Sequence, residues 1–355
     1  MKKKFGAVIM AAAMACTLIG SAVAATGCTT KIPDFVMPEG GFDTETPVEI
    51  KFYHTMGANL RTVLQNYIDA FNVLYPNIKV IEDQIGGYED VRDQVVTEIN
   101  SGAQPNLAYC YPDHVAMFNQ SGAVLPLNGF LPDGEYKDMK LTRVDKTEES
   151  LGFTQADKDA FIEGYWNEGF QFDDGSKMYT LPFSKSTEVL FYNEKYFADH
   201  NLSVPKTWDE MEQVCAAIKA NEPDNCIPLG YDSEANWFIT MCEQLGTDYT
   251  SADGKHFLFD NEENRAFVTK FKGWYEKGYF ITKEINKTYT SNLFKEKTSY
   301  MCIGSSAGAK NQLPDKVNGV RPFSVGVASI TQVDPENPKV ISQGPSICIF
   351  KQENP

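Results

Sequence analysis

Residues 304–308 carry the one spacing in this sequence that is typical of nucleophilic catalysis. They read GSSAG, the pattern G-x-S-x-G, and they follow a predicted strand, which is where a hydrolase would place its serine. In that arrangement the serine, the acid and the histidine follow one another along the chain. All four histidines precede Ser306: His54, His114, His200 and His256. We therefore interpret the motif as a strand-to-helix turn whose small residues let a ligand come close.

Other catalytic and metal-binding patterns are absent from the sequence. It contains no HExxH, no Walker loop and no CxxC, and no GxGxxG follows a predicted strand. The histidines are also too scattered for a metal site. We predict no enzyme, no cofactor and no metal. A secreted glycosidase stays open as the alternative, because the chain has many acidic residues but no signal that pairs two of them.

Polar and aromatic residues follow three predicted strands in succession. His54 ends the first strand, Gly86, Gly87 and Tyr88 follow the second, and Asp113 follows the third. Open α/β sheets bind ligands at the carboxyl ends of their strands, so these residues share one edge. We expect the Tyr88 ring to stack on a sugar or polyol, and His54 and Asp113 to form hydrogen bonds with its hydroxyls.

The elements that position these residues alternate between strand and helix. Apolar residues at period two predict strands at 48–54, 78–81 and 107–111, and residues at helical spacing predict helices at 59–75 and 89–100. A strand at 187–192 precedes a helix at 208–219, for which Thr207 and Glu210 form a capping signal. A further helix at 262–277 turns four aromatic residues inward: Phe267, Phe271, Trp274 and Tyr275. The pattern predicts an α/β fold with largely parallel sheets.

Length and charge limit the possible partners. A chain of 355 residues is long enough for two domains, and 42% hydrophobic with 23% charged residues is ordinary globular composition. The net charge of −16 would repel a phosphate backbone, so we expect no nucleic acid as a partner.

The N-terminus has the pattern of an export signal. Three lysines precede an apolar run, and residues 25–28 (ATGC) resemble a bacterial lipobox, which implies cleavage before Cys28 and lipidation of its sulfur. A plain signal peptide or an uncleaved anchor remains the alternative. We expect 1–28 to be the signal with the lipidated cysteine, and 29–46 to be a tether. The six later cysteines are expected as buried free thiols, with a 215–226 or 226–242 bridge left open.

Four segments resemble the family 1 extracellular solute-binding proteins of ABC importers. They are PFSKSTEVLFYN at 182–193, PKTWDEM at 205–211, FDNEENRAFVTKFKGWYEKG at 259–278 and LFKEKTSYMCIGSS at 293–306. The resemblance implies a two-lobe periplasmic-binding-protein-like fold, in which each lobe is a mixed, mostly parallel sheet flanked by helices. It also implies that the lobes close on a ligand and that the closed form docks on a membrane permease.

On this resemblance we divide the chain into lobes. We expect 47–182 plus 300–340 to form lobe 1, and 187–299 plus 344–355 to form an incomplete lobe 2, with the sequence continuing past Pro355, where two further ligand contacts, a Tyr and an Arg, would lie. Hinge crossings are expected near 182–187, 301–306 and 343–346. The implied protein is an exported, lipid-anchored monomer, outside the cell membrane or in a periplasm, and its ligand is a sugar, an oligosaccharide or a polyol, including the glycerol phosphate type.

The resemblance also places ligand contacts on this sequence. They fall on five residues: Tyr88, Asp113, Ser186, Ser305 and Gly344. We add Trp237 as a second stacking ring and Asp232 as a hydrogen-bonding carboxylate. For these two residues a structural role stays open, since Trp237 suits a core position and Asp232 suits a cap of the helix that Ser233 begins.

Overall fold

The computed structural model describes residues 34–37, 45–251 and 256–352. The export signal, the lipobox with Cys28 and most of the 29–46 segment lie outside the described residues. Within the described ranges no helix has both the length and the hydropathy needed to cross a membrane. The described residues divide into two units: unit 1 comprises those up to 160, those of 169–181 and those from 347 onward, and unit 2 comprises those of 161–168 and 182–346.

Thirteen strands lie in the described part of the chain. In chain order they are β1 Val48–His54, β2 Ile78–Gln84, β3 Leu107–Cys110, β4 Lys140–Thr142, β5 Glu148–Ser150, β6 Leu181–Pro182, β7 Ser186–Asn193, β8 Leu229–Tyr231, β9 Phe280–Thr282, β10 Met301–Ser305, β11 Val325–Ser329, β12 Ser342–Gln343 and β13 Ser346–Ile349.

The described α-helices number eleven. They are α1 Ala58–Leu74, α2 Tyr88–Ile99, α3 Pro112–Phe118, α4 Gln155–Asp159, α5 Glu163–Glu168, α6 Glu194–Asp199, α7 Trp208–Asn221, α8 Glu234–Leu245, α9 Glu262–Glu276, α10 Lys283–Asn286 and α11 Ser291–Lys295.

Unit 1 is built on a five-stranded sheet in the order β2-β1-β3-β13-β6. Strand β1 pairs in parallel with β2 and β3, as the alternating pattern predicts. One face of the sheet packs against Val91 and Val95 of α2, and the other against Leu64 and Ile68 of α1. The parallel pairing brings the carboxyl ends of β1, β2 and β3 to one edge of this sheet.

Unit 2 is built on a six-stranded mixed sheet in the order β11-β7-β10-β8-β9, with β12 also paired to β7. Strand β7 is antiparallel to β10, β11 and β12, whereas β8 is parallel to β9 and β10. The capping signal before α7 is confirmed: Thr207 accepts a hydrogen bond from the Glu210 N–H (3.2 Å), and the Glu210 carboxylate accepts one from the Thr207 N–H (3.2 Å).

Helix α9 confirms three of its four predicted inward residues. Phe267, Phe271 and Trp274 are buried in the core of unit 2, but Tyr275 is 49% exposed. Successive residues on a helix are rotated by about 100°, so the residue after Trp274 leaves the buried face. The helix ends where Gly278 takes a positive φ of +69°.

The unit boundaries differ from the lobe boundaries that the sequence suggested. Strands β10 and β11 pair with β7, so most of 300–340 belongs to unit 2 rather than lobe 1. Strand β13 joins the sheet of unit 1, so 347–352 does not belong with 187–299. The predicted crossing at 301–306 therefore lies inside unit 2, while residues 182 and 346 do lie at unit boundaries.

The six described cysteines are free and buried, with no bridge between 215 and 226 or between 226 and 242. They are Cys110, Cys215, Cys226, Cys242, Cys302 and Cys348. Burial raises the pKa of the Cys226 thiol to about 11, which keeps it protonated at neutral pH.

Candidate functional site

In unit 1, Tyr88 and Asp113 lie at the strand ends that the sequence indicated. Tyr88 is the first residue of α2, and its ring centroid lies 4.9 Å from that of Tyr111 and 6.5 Å from that of Tyr109. The turn before it needs Gly86, whose φ is +32°. Asp113 is exposed in the first turn of α3. The arrangement offers an aromatic surface and a carboxylate of the kind that sugar hydroxyls bind.

His54 does not have the role that the sequence suggested. It is fully buried, its Nδ1 accepts a hydrogen bond from the Met56 N–H (3.1 Å), and its Nε2 lies 2.8 Å from Glu82 Oε2. Glu82 also accepts hydrogen bonds from Arg61, at 2.7 Å for the shortest. Both ring nitrogens are therefore engaged inside unit 1, and we correct the prediction that His54 contacts a ligand.

In unit 2, Ser186 and Ser305 lie side by side on antiparallel strands. The Ser305 hydroxyl donates to Ser186 Oγ at 3.0 Å. The next serine, Ser306, accepts a hydrogen bond from the Thr187 N–H at 3.2 Å and opens a 3₁₀ helix over Ser306–Gln312. The interpretation of residues 304–308 as a strand-to-helix turn is therefore confirmed. The hydroxyl pair can donate to and accept from one polar ligand group.

Gly344 lies next to this pair, directly after the β12 residue that faces Ser186 in the strand register. Its φ is +79°, and a Cβ at this position would overlap the carbonyl oxygen of Ser184. The backbone N–H groups of residues 183 and 184 both donate to the Pro345 carbonyl, at 3.4 and 3.2 Å. Only glycine fits at position 344, because every other residue would bring both a strained φ and a clash.

Asp232 caps a helix, although a different one from the helix that the sequence suggested. Its Oδ1 accepts hydrogen bonds from the Thr290 N–H and hydroxyl, both at 2.7 Å, at the start of α11. Ser233 itself caps α8. Oδ1 of Asp232 is thus engaged in holding α11 against β8, which supports the structural alternative for this residue.

Trp237 belongs to the aromatic core of unit 2. Its ring centroid lies 5.1 Å from that of Phe271, 5.6 Å from that of Phe267 and 6.0 Å from that of Phe280. These contacts support a structural role for Trp237, and we no longer propose that its ring stacks on a ligand.

Sequence reasoning missed a buried ion pair beside Gly344. Lys185 Nζ lies 2.6 Å from Glu168 Oε1 and donates to the Gly344 carbonyl at 2.8 Å. The second oxygen of Glu168 accepts from the Ser342 hydroxyl. No local pattern connects these residues, which are far apart in the sequence, although a lysine inside PFSKST was a signal that could have been followed.

A second missed residue is Glu188 in β7. It is 2% exposed and accepts hydrogen bonds from the hydroxyls of Tyr231 and Thr240, the latter at 3.1 Å. Burial raises the pKa of the Glu188 carboxyl to about 7, against hydrogen bonds that lower it. The signal in the sequence was an acidic residue inside an otherwise apolar strand.

Both α/β units thus present hydroxyls or tyrosine rings at strand ends, the places where open α/β sheets bind small ligands. The family described as bacterial extracellular solute-binding protein matches residues 66–355, and the chain belongs to this family.

A relative at modest identity agrees with this assignment. The sn-glycerol-3-phosphate-binding periplasmic protein UgpB of Yersinia pestis is 27% identical over 175 residues, which cover 48% of this chain and 36% of that protein. The chain thus matches little more than a third of that relative's length.

Solved structures show the same fold. UgpB of Mycobacterium tuberculosis, in complex with glycerophosphocholine, is similar with a TM-score of 0.65 and 14% identity, over 85% of this chain and 70% of that one. The sugar-binding protein MalE of Xanthomonas citri has a TM-score of 0.66 and 18% identity, over 85% and 71%. The fold is therefore the two-lobe periplasmic-binding-protein-like fold.

Proposed function

We propose that this protein captures a sugar, an oligosaccharide or a polyol outside the cell and delivers it, chemically unchanged, to the permease of an ABC importer. The observation that carries the proposal is the Ser186–Ser305 hydroxyl pair beside Gly344 in unit 2. Paired hydroxyls at strand ends suit a ligand with hydroxyls of its own, because each can donate and accept. Membership of the solute-binding family supports the same role.

The proposed ligand contacts are five residues that remain after the corrections above. Tyr88 supplies a stacking ring and Asp113 an acceptor in unit 1, while Ser186, Ser305 and the backbone of Gly344 supply polar contacts in unit 2. Capture by both lobes, with bending near 182–187 and 343–346, is part of the proposal. Binding energy then selects the closed form that the permease recognises.

We further propose that the protein is exported and held at the outer face of the cell membrane, or in a periplasm, by lipid on Cys28. The lysines, the apolar run and the ATGC segment of the sequence support this. Labelling of cells with a radioactive fatty acid tests it. The label should enter the protein, and Cys28→Ser should lose it; a labelled Cys28→Ser protein would overturn the assignment.

A thermal-shift screen tests the proposed function. The purified protein is heated with sugars, oligosaccharides, polyols and glycerol phosphates, and a ligand that binds only the folded state raises the melting temperature. We expect a rise with at least one hydroxylated compound and recovery of that compound unaltered. Conversion of the compound into product would favour a glycosidase, and no rise with any compound would overturn the proposal.

A further inference from the structure

The polar face of the unit 2 sheet contains a buried carboxylate next to the hydroxyl pair. Glu188 lies directly opposite Ser305 in the register of β7 and β10, so their Cβ atoms are about 5 Å apart. Ser186 is two residues away on β7 and therefore points to the same face of the strand. Any ligand group that reaches the two serines comes within several Å of the Glu188 carboxylate.

The groups around Glu188 do not neutralise it. Its hydrogen-bonding neighbours are the hydroxyls of Tyr231 and Thr240, the Asn236 side chain and the Gln343 amide (3.5 Å), from β8, α8 and β12. All four are uncharged. The charged group that acts on Glu188 is another acid, Asp232, and it raises the pKa of Glu188 further. The ammonium of Lys185 is already paired with Glu168.

A buried carboxylate of this kind affects ligands according to their charge. Proteins that bind phosphate or carboxylate groups place Arg, Lys or several backbone N–H groups against them. Here a ligand anion would meet a like charge in a medium of low effective dielectric constant. At about 7 Å and pH 8 such repulsion weakens binding by up to about tenfold, because a carboxyl with a pKa of about 7 can take up a proton and so relieve a stronger repulsion.

We propose that Glu188 is a specificity-determining residue of unit 2, which excludes anionic ligands such as phosphate esters and leaves uncharged polyhydroxylated ligands unaffected. The inference rests on the proposed function and narrows its ligand class. It separates this chain from relatives that are named for glycerol 3-phosphate. Glu188 acts through its charge, so its protonation below neutral pH removes the exclusion.

Calorimetric titration of three proteins tests the proposal. Glycerol 3-phosphate is the anionic probe and maltose the neutral one, and both are titrated into the unaltered protein, Glu188→Gln and the control Glu296→Gln at pH 5.5 and 8.0. Glu296 is exposed on unit 2, so its substitution removes a surface charge only. The ionisation of the phosphate group of the ligand affects all three proteins equally at a given pH, so it does not contribute to the difference in affinity between them.

At pH 8.0 we expect Glu188→Gln to bind glycerol 3-phosphate about fivefold to tenfold more tightly than the other two proteins. At pH 5.5 we expect a difference of less than about threefold, because Glu188 is then protonated. Maltose affinity should differ by less than about threefold throughout. Glu188→Leu, which also removes the charge, serves if the glutamine variant does not fold.

Three results would overturn the proposal. All proteins could bind glycerol 3-phosphate with equal affinity at pH 8.0, or Glu188→Gln could gain the same affinity for it at both pH values. The third result is that neither Glu188→Gln nor Glu188→Leu binds glycerol 3-phosphate. Failure of the proposed function looks different. In that case neither maltose nor any other compound of the screen binds the unaltered protein.

Discussion

Lys185 and Glu168 form an ion pair with an Nζ to Oε1 distance of 2.6 Å, and each side chain is only 5% exposed. Glu168 is the last residue of unit 2 before the chain passes to unit 1, and Lys185 lies three residues after it returns. Lys185 also holds the Gly344 carbonyl, close to where the chain leaves unit 2 again. Within unit 2, one buried pair thus connects residues close to three of the points at which the chain passes between the units.

Replacement of Lys185 by Met should destabilise the protein strongly. The change leaves the Glu168 carboxylate buried without its cation, which costs about 3–5 kcal/mol of unfolding free energy. Urea denaturation measures it. The control is Lys195→Met, because Lys195 pairs with Asp199 on the surface and such pairs contribute less than about 1 kcal/mol. Equal stability of the two variants would contradict the role of the buried pair.

Gly344→Ala should lower stability by at least about 2 kcal/mol, since it combines a φ of +79° with a clash against the Ser184 carbonyl. The matched control is Gly273→Ala in the last turn of α9, where a Cβ meets nothing within 4 Å. That change should be neutral or stabilise by up to about 1 kcal/mol, because alanine favours helix. Thermal unfolding of both variants measures these changes. A Gly344→Ala protein as stable as the unaltered one would show that this turn tolerates side chains.

Glu188 should make stability depend on pH. Burial raises the pKa of this carboxyl from 4.5 to about 7. Between these values the folded protein holds a proton that the unfolded chain has lost, so the contribution of Glu188 is fully present below about pH 4.5 and is lost as the pH rises to about 7.

Urea denaturation at pH 5 and pH 8 measures this effect. The unaltered protein and Glu296→Gln should lose on the order of 3 kcal/mol relative to Glu188→Gln over this range. Contributions from other titrating groups cancel in the comparison. Parallel changes in all three proteins would show that the Glu188 carboxyl titrates in its ordinary range.

His54→Ala should reduce stability without abolishing binding. The change removes a buried ring and leaves the Met56 N–H and the Glu82 carboxylate without one partner each, at a cost of about 2–4 kcal/mol. His256→Ala, at an exposed position, should change stability by less than about 0.5 kcal/mol. A His54→Ala protein that keeps its stability but loses every ligand-induced thermal shift would restore His54 as a ligand contact.

Local patterns were sufficient for the elements but not for their assembly. The strand at 48–54 and the cap at Thr207 follow from alternation and from a side chain three residues away, and both are present in the structure. The placement of β10, β11 and β13 depends on which sheet edge each strand meets after a long connection. Alternation along a strand is the same in either sheet, so the predicted lobe boundaries could not be correct for 300–340.

In the candidate site, too, positions set by nearby sequence could be predicted, whereas contacts with residues distant in the sequence could not. The positions of Tyr88 and Asp113 near strand ends could be predicted because each comes shortly after a strand that pairs in parallel with β1. The interactions of His54, Asp232 and Trp237 could not be read from the sequence, because their partners Glu82, Thr290 and Phe271 are 28 or more residues away. Glu168 was missed for the same reason.

Equilibrium dialysis with a labelled form of the compound that gives the largest thermal shift tests the central claim most directly. The protein should retain the compound at one molecule per chain, release all of it unaltered on denaturation, and lose retention of it in the Ser186→Ala variant. Retention of the compound by Ser186→Ala at full affinity, or recovery of a product instead of the compound, would contradict the account.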